Sequence, residues 1–286
     1  MTAGAASSSS SLGLDDAALT RLLSRRPSLR SRIIRSPWPY RAAVFVLFGV
    51  IWQIYSTTAG KSMLFPTFIG AMGGVAQLLV TPRTYEAFLT SNVSLMVGFP
   101  IAVLLGVLAG LGTARFRQVE SFVDPYIGIL LVTPMAAFIP IVVMALGLGL
   151  ASRTLLILVF AIPVIIVNSR AGVRGVDPQL VEMSFSFGAT ERQIWRNVLL
   201  PGALPVIMSG IRLGLGRGVT GMVVIELLLV SVGIGGLFLN FRGRFETDLL
   251  YGLVVLVVME ALVLVSVARF VERRIAPWAQ DVAIID

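Results

Sequence analysis

Six stretches of this 286-residue chain are apolar and nearly free of charge: Ala42–Thr58, Leu95–Leu111, Ile127–Leu150, Thr154–Asn168, Val206–Val232 and Leu249–Phe270. A helix needs about 20 such residues to cross a hydrocarbon core about 30 Å thick. The runs therefore predict an all-α integral membrane protein with six transmembrane helices. The first run is short unless Pro39 and Tyr40 join it, the third is interrupted by Pro134 and Pro140, and the fourth is short and carries Pro163. Only 13% of the residues are charged, about half the share of a water-soluble domain. That is too little to cover a surface facing water, so lipid is the expected solvent.

The net charge is +8, carried by 22 arginines and the single Lys61. In a soluble chain this balance would suggest nucleic acid. Here it fits the excess of Lys and Arg on the cytoplasmic side of membrane proteins, and no nucleic-acid partner is expected. With a cytoplasmic N-terminus, sixteen of the 23 basic residues fall in inside segments. Five fall outside: Lys61, Arg83, Arg153, Arg242 and Arg244. Both termini are thus expected in the cytoplasm. Residues 1–36 read as a basic, Ser-rich cytoplasmic tail, 37–275 as the membrane domain and 276–286 as a C-terminal tail. In the N-terminal tail, apolar residues over Leu14–Leu23 suit a short interfacial helix as well as a plain solvated segment. The longest loops are Ala59–Ser94 outside and 169–204 inside.

There is no cysteine and no histidine, which excludes disulfides, thiolate nucleophiles, Ser-His-Asp triads and His/Cys metal sites. No cluster of Asp or Glu has metal-binding spacing. A Gly-x-x-x-x-Gly-Lys-Ser/Thr phosphate loop is also absent, so the chain is not expected to hydrolyse ATP or to bind a cofactor itself. Gly214-Leu215-Gly216-Arg217-Gly218 has a superficial nucleotide-loop look, but it lies within an apolar run with no strand before it.

The inside loop has strong local signals. Asp177 is placed to cap a helix that begins at Pro178, a favoured first position for proline. Val181, Ser184 and Phe185 then share one helical face, and Gly188 ends or bends that helix. A second short helix follows, with Ile194, Trp195 and Val198 apolar and Glu191, Arg192 and Arg196 polar. Pro201 and Pro205 close the segment. The result is a cytoplasmic helical hairpin with apolar residues exposed beside charges, a surface suited to docking a partner.

Within that hairpin stand Glu182, Met183, Ser184 and Gly188, then nine residues (Ala189–Asn197), then Val198-Leu199-Leu200-Pro201. This spacing resembles the Glu-Ala-Ala…Gly…Ile-x-Leu-Pro loop of permease subunits of binding-protein-dependent ABC importers. Met183 and Ser184 depart from the two alanines, and Met183 is the bulkier change. Further matches are Leu64-Phe65-Pro66, Asp124-Pro125, Thr133-Pro134, Pro140 with Gly147, Gly210-Ile211-Arg212, Glu226 and Gly233-Ile234-Gly235. They make roughly residues 40–275 similar to the nitrate/sulfonate/taurine branch. The resemblance implies a type I importer permease fold in a bacterial plasma membrane. Two ATPase subunits, carrying ATP and magnesium, would dock inside. A second permease copy, identical or related, and an extracytoplasmic substrate-binding protein would complete the assembly. It further implies that Glu182, Met183, Ser184, Gly188, Leu200 and Pro201 couple the chain to the ATPase. The solute would be a small anion or polar organic molecule such as a sulfonate, taurine or nitrate.

Gly210, Gly214 and Gly218 recur at four-residue spacing in the fifth run, and Gly106 and Gly110 repeat the pattern in the second. Such seams let helices approach closely, either within one chain or across a permease pair. Arg212, Arg217 and Glu226 are the charges at span depth. Charged groups there are costly unless they face protein or water. They either line the solute pathway or pair between helices, and Glu260 in the sixth run is under a similar constraint. A standalone secondary transporter built on Glu226 is the alternative reading.

Overall fold

The computed structural model describes residues 37–58 and 64–280. The Leu14–Leu23 segment, the rest of the 1–36 tail and the last residues of the C-terminal tail lie outside them. The chain divides into two compact units, residues 1–59 and 60–286. Within the first, α1 spans Pro37–Thr58, so Pro39 and Tyr40 do join the first run. Both prolines sit in the first turn, where their missing N–H groups cost no helical bond.

The described part of the second unit, residues 64–280, is built of helices joined by short turns. Its elements are α2 (Phe68–Val80), α3 (Pro82–Arg115), α4 (Arg117–Val132), α5 (Phe138–Leu146) and α6 (Leu150–Arg174). Then come α7 (Pro178–Ser186), α8 (Glu191–Ile194), α9 (Leu200–Ile225), α10 (Gly233–Gly243) and α11 (Thr247–Ile275). Wider π turns at Trp195–Leu199 and Glu226–Val230 follow α8 and α9. Among the described residues of both units, five helices are long and apolar enough to cross a bilayer, and six crossings result if one bent pair counts as a span.

That bent pair corrects the third predicted span. Instead of one kinked helix over Ile127–Leu150, α4 and α5 meet at 94°. Thr133 is extended (φ −71°, ψ 137°) because the ring of Pro134 disfavours helical backbone at the residue before it. Pro140, in the first turn of α5, bends nothing. The expected outer loop Ala59–Ser94 also needs correction: from Phe68 on it is α2 and the first turns of α3. Thr67 Oγ1 caps α2 by accepting from the Gly70 N–H at 2.9 Å, and Pro82 opens α3 at its first position. Similarly, Pro205 lies inside α9 rather than ending the loop before it.

The centre of the unit is α6, flanked by α3 and α9. Glycines allow both contacts. On the α3 side, Gly106 meets Ile165 and Gly110 meets Ser169, so α3 and α6 run parallel. Across the other face, Gly210 meets Asn168, Gly214 meets Ile165 and Gly218 meets Ile157, so α9 runs antiparallel to α6. The structure thus places the Gly210–Gly214–Gly218 seam against this chain's own α6. A Cβ added at Gly214 would sit 2.6 Å from Ile165 Cγ1, whereas one at Gly216 would meet nothing within 4 Å. Gly214→Leu is therefore expected to overpack the α6–α9 contact and cost about 1–3 kcal/mol, read as a lower melting temperature in detergent. Gly216→Leu should melt like the parent, and equal melting of the two variants would refute the seam.

Candidate functional site

The predicted hairpin forms, and its geometry follows from short-range rules. Asp177 caps α7 by accepting from the Gln179 N–H at 2.8 Å. At the other end, Gly188 takes a left-handed φ of +76°. The Gly188 N–H then donates to Phe185 O (2.9 Å) and the Ala189 N–H to Ser184 O (3.0 Å). These are the paired bonds of a Schellman cap, and they turn the chain back. Thr190 and Gln193 start α8, with the Thr190 N–H donating to Gln193 Oε1 at 2.7 Å.

The two arms of the hairpin have different roles. The second is anchored: Ile194 is buried, Trp195 packs against the Val173–Ala203–Ile207 cluster, and Arg115 pairs with Glu191 while lying over the Trp195 ring. Beyond Trp195 the helix widens rather than stops. Pro201 has no N–H to give and its ring crowds the preceding turn, and a π turn absorbs this, with the Leu200 N–H donating to Trp195 O. The first arm is not anchored. No residue of α7 is buried. Met183 is 50% and Phe187 84% exposed.

Between the arms lies an open groove of about 470 Å³. Its lining includes Leu180, Met183, Ser184, Val198, Pro201 and the C-terminal Trp278. Of the six residues that the loop resemblance singled out, Met183, Ser184 and Pro201 thus share one groove. Glu182 is exposed on α7, and among the described residues its carboxylate has no salt-bridge partner. Gly188 forms the turn, and Leu200 is half-buried at the start of α9. Leu180 was not singled out. It lines the groove together with Met183 and Ser184, whereas Phe185, expected on the same face as Ser184, projects outward.

The end of the bundle that bears α7 is also where its arginines collect. Arg174 bonds Glu120 at 2.6 Å, and Arg170 reaches Glu120 at 3.3 Å and also pairs with Asp124. These contacts tie α4 to α6. Arg212 pairs with Glu272 and donates to Ser209 Oγ at 3.1 Å, tying α9 to α11.

Glu226 lies toward the opposite end, fully buried, within the π turn after α9. Its Oε2 accepts from Ser91 Oγ (2.7 Å) and from the Gly235 N–H (3.1 Å), and Ser91 Oγ accepts from the Ile234 N–H (2.9 Å). Arg153 approaches Glu226 Oε1 at 3.7 Å. The cluster joins α3, α6, α9 and the start of α10. A Cβ on Gly233 or Gly235 would collide with Ser91 or with Glu226, which explains the Gly-Ile-Gly. Arg153, read from the sequence as an outer-loop charge, is instead a mostly buried residue in the first turn of α6. Its spacing carried no signal, because its partner lies 73 positions further along the chain. Glu260 pairs with Asn92 of α3.

Arg217 behaves differently from Arg212 and Glu226. It lines a cavity of about 310 Å³ at the α4–α5 break, together with Thr133, Pro134, Phe160, Pro163 and Val224. The structure therefore separates the three charges of the fifth run rather than bringing them together.

Residues 102–280 match a family model described as binding-protein-dependent transport system inner membrane component. The chain is 27% identical over 266 residues to the taurine transport system permease protein TauC of Escherichia coli, covering 89% of this chain and 97% of that protein. It is 28% identical to the putative aliphatic sulfonates transport permease protein SsuC of Bacillus subtilis, covering 80% and 83%. Among solved structures, an inward-facing conformation of the MetNI methionine ABC transporter aligns with TM-score 0.50 and 25% identity, covering 70% of this chain and 95% of that one.

Proposed function

Because the chain belongs to the family of binding-protein-dependent transport system inner membrane components, whose members are permeases of ABC importers, we propose that its exposed α7 is the element through which an ATPase drives it. In this reading two ATPase subunits dock at the arginine-rich end of the bundle, which faces the cytoplasm. A second permease copy completes the pathway, and a substrate-binding protein delivers solute from the other side. This chain itself carries out no chemical step. The solute is a small anion or polar organic molecule, a sulfonate or taurine first among them. The taurine and sulfonate permeases named above support that choice.

The observation that carries the coupling role is the unanchored α7. A helix with no buried residue, an apolar face in water and a carboxylate that has no ion-pair partner among the described residues contributes little to its own bundle. Its capped, hinge-free turn at Gly188 nevertheless holds it in one direction. A partner that covers Leu180, Met183 and Phe187 would remove that apolar area from water, at about 25 cal/mol per Å² buried.

The test is copurification with a co-expressed ATPase subunit. Met183→Glu is expected to weaken capture at least tenfold while leaving membrane insertion unchanged, because position 183 touches no core cluster. Capture that is unaffected by the charge, or a parent chain that imports without any ATPase, would refute the docking role.

A further inference from the structure

Resting on the permease reading above, we propose that the cavity at the α4–α5 break is an anion-binding station on the solute pathway, with Arg217 selecting for negative charge. The cavity, about 310 Å³, is within the size range of small-molecule sites. It forms because Thr133 and Pro134 break the third span and leave a notch against α6 and α9. Irregular backbone at membrane depth persists where it lines a cavity, and this break does so.

The depth is set by α6. Phe160 and Pro163, in the cavity wall, flank the middle of the 25-residue Leu150–Arg174 helix. A guanidinium at that level is excluded from lipid unless it meets water, protein or a counter-charge. The other charges of the fifth run are already matched: Arg212 by Glu272, and Glu226 by Ser91, Gly235 and Arg153. Among the described residues Arg217 has no ion-pair partner within 4.0 Å and no hydrogen-bond acceptor. Among the described residues no carboxylate lines the cavity. Arg217 is an exposed residue, and a planar, permanently charged fork left unmatched on the wall of this open, mid-depth cavity is suited to an oxyanion such as a sulfonate or carboxylate, which it can grip with two parallel N–H bonds.

The absence of cysteine makes the test direct. Ala136→Cys introduces a single thiol into the cavity lining of the full chain, reconstituted with its ATPase partners in vesicles. Two water-soluble methanethiosulfonates serve as probes, one bearing a sulfonate and one a trimethylammonium group, each normalised to its rate with free cysteine. A site lined by one sign of charge raises counter-ion encounter rates by about tenfold or more, so the sulfonate reagent should react about tenfold faster. Adding Arg217→Gln should abolish that preference and Arg217→Lys should retain it. Absence of labelling by either probe, or a preference that survives Arg217→Gln, overturns the proposal. This readout is separate from ATPase capture, so failure of the station and failure of the docking role are distinguishable.

Discussion

Replacing Gly188 with valine is expected to reduce solute uptake and transport-linked ATP hydrolysis at least tenfold while leaving the bundle as stable as before. The loss would come from backbone geometry alone. A Cβ at Gly188 meets nothing within 4 Å, so the site has room for a side chain. What excludes valine is the φ of +76°, because left-handed backbone costs an ordinary residue about 1–2 kcal/mol and suits β-branched residues worst. Relief of that strain opens the Schellman bonds from Gly188 and Ala189, and α7 no longer leaves α8 at a fixed angle. Because no residue of α7 belongs to the buried core, the detergent melting temperature should not move. Gly188→Asn, which tolerates the left-handed region, should keep most of the transport. Uptake at parent rates in the valine variant would refute the coupling role of this turn.

Glu226→Ala should act in the opposite way, through the fold. It leaves Ser91 Oγ and the Gly235 N–H without their acceptor, and Arg153, whose side chain is 12% exposed, without its counter-charge. Breaking a buried pair from one side costs about 3–5 kcal/mol, enough to release the start of α10 from α3. The expected result is a large drop in melting temperature and little folded protein. Glu226→Gln keeps an acceptor for Ser91 and Gly235 and should recover most of the stability and most of the transport. The same pair of variants addresses the carrier alternative. If Glu226 moved a proton with each solute, glutamine would abolish transport in a stable protein. Preserved uptake in Glu226→Gln would leave that alternative without its residue, whereas lost uptake at normal stability would overturn the structural role.

The hairpin was legible because its signals are local. Asp177 and Pro178 start α7 and Gly188 ends it, by interactions that reach no further than four or five residues, so composition at those positions suffices. The spacing from Glu182 to Pro201 was also readable, since a fixed number of residues between a cap and the next helix sets the geometry. The groove was not. Leu180 and Trp278 are nearly 100 positions apart and meet only because α11 returns to the same end of the bundle. The break at Pro134 was visible as an interruption, but its 94° angle was not. A proline states that one hydrogen bond is missing and leaves the new direction to the helices that pack on either side.

By itself the sequence determined the solvent and the local turns: long uncharged runs must lie in lipid, and caps obey near-neighbour sterics. Only the tertiary structure decided which charges are matched. Arg212, Arg217 and Glu226 are all charges within one apolar run of the sequence, yet one pairs with α11, one is clasped by α3, α6 and α10, and one faces a cavity. Coulombic and hydrogen-bond partners at membrane depth come from other helices, as far as 135 residues away for Ser91 and Glu226. Their presence depends on how glycine seams let those helices approach.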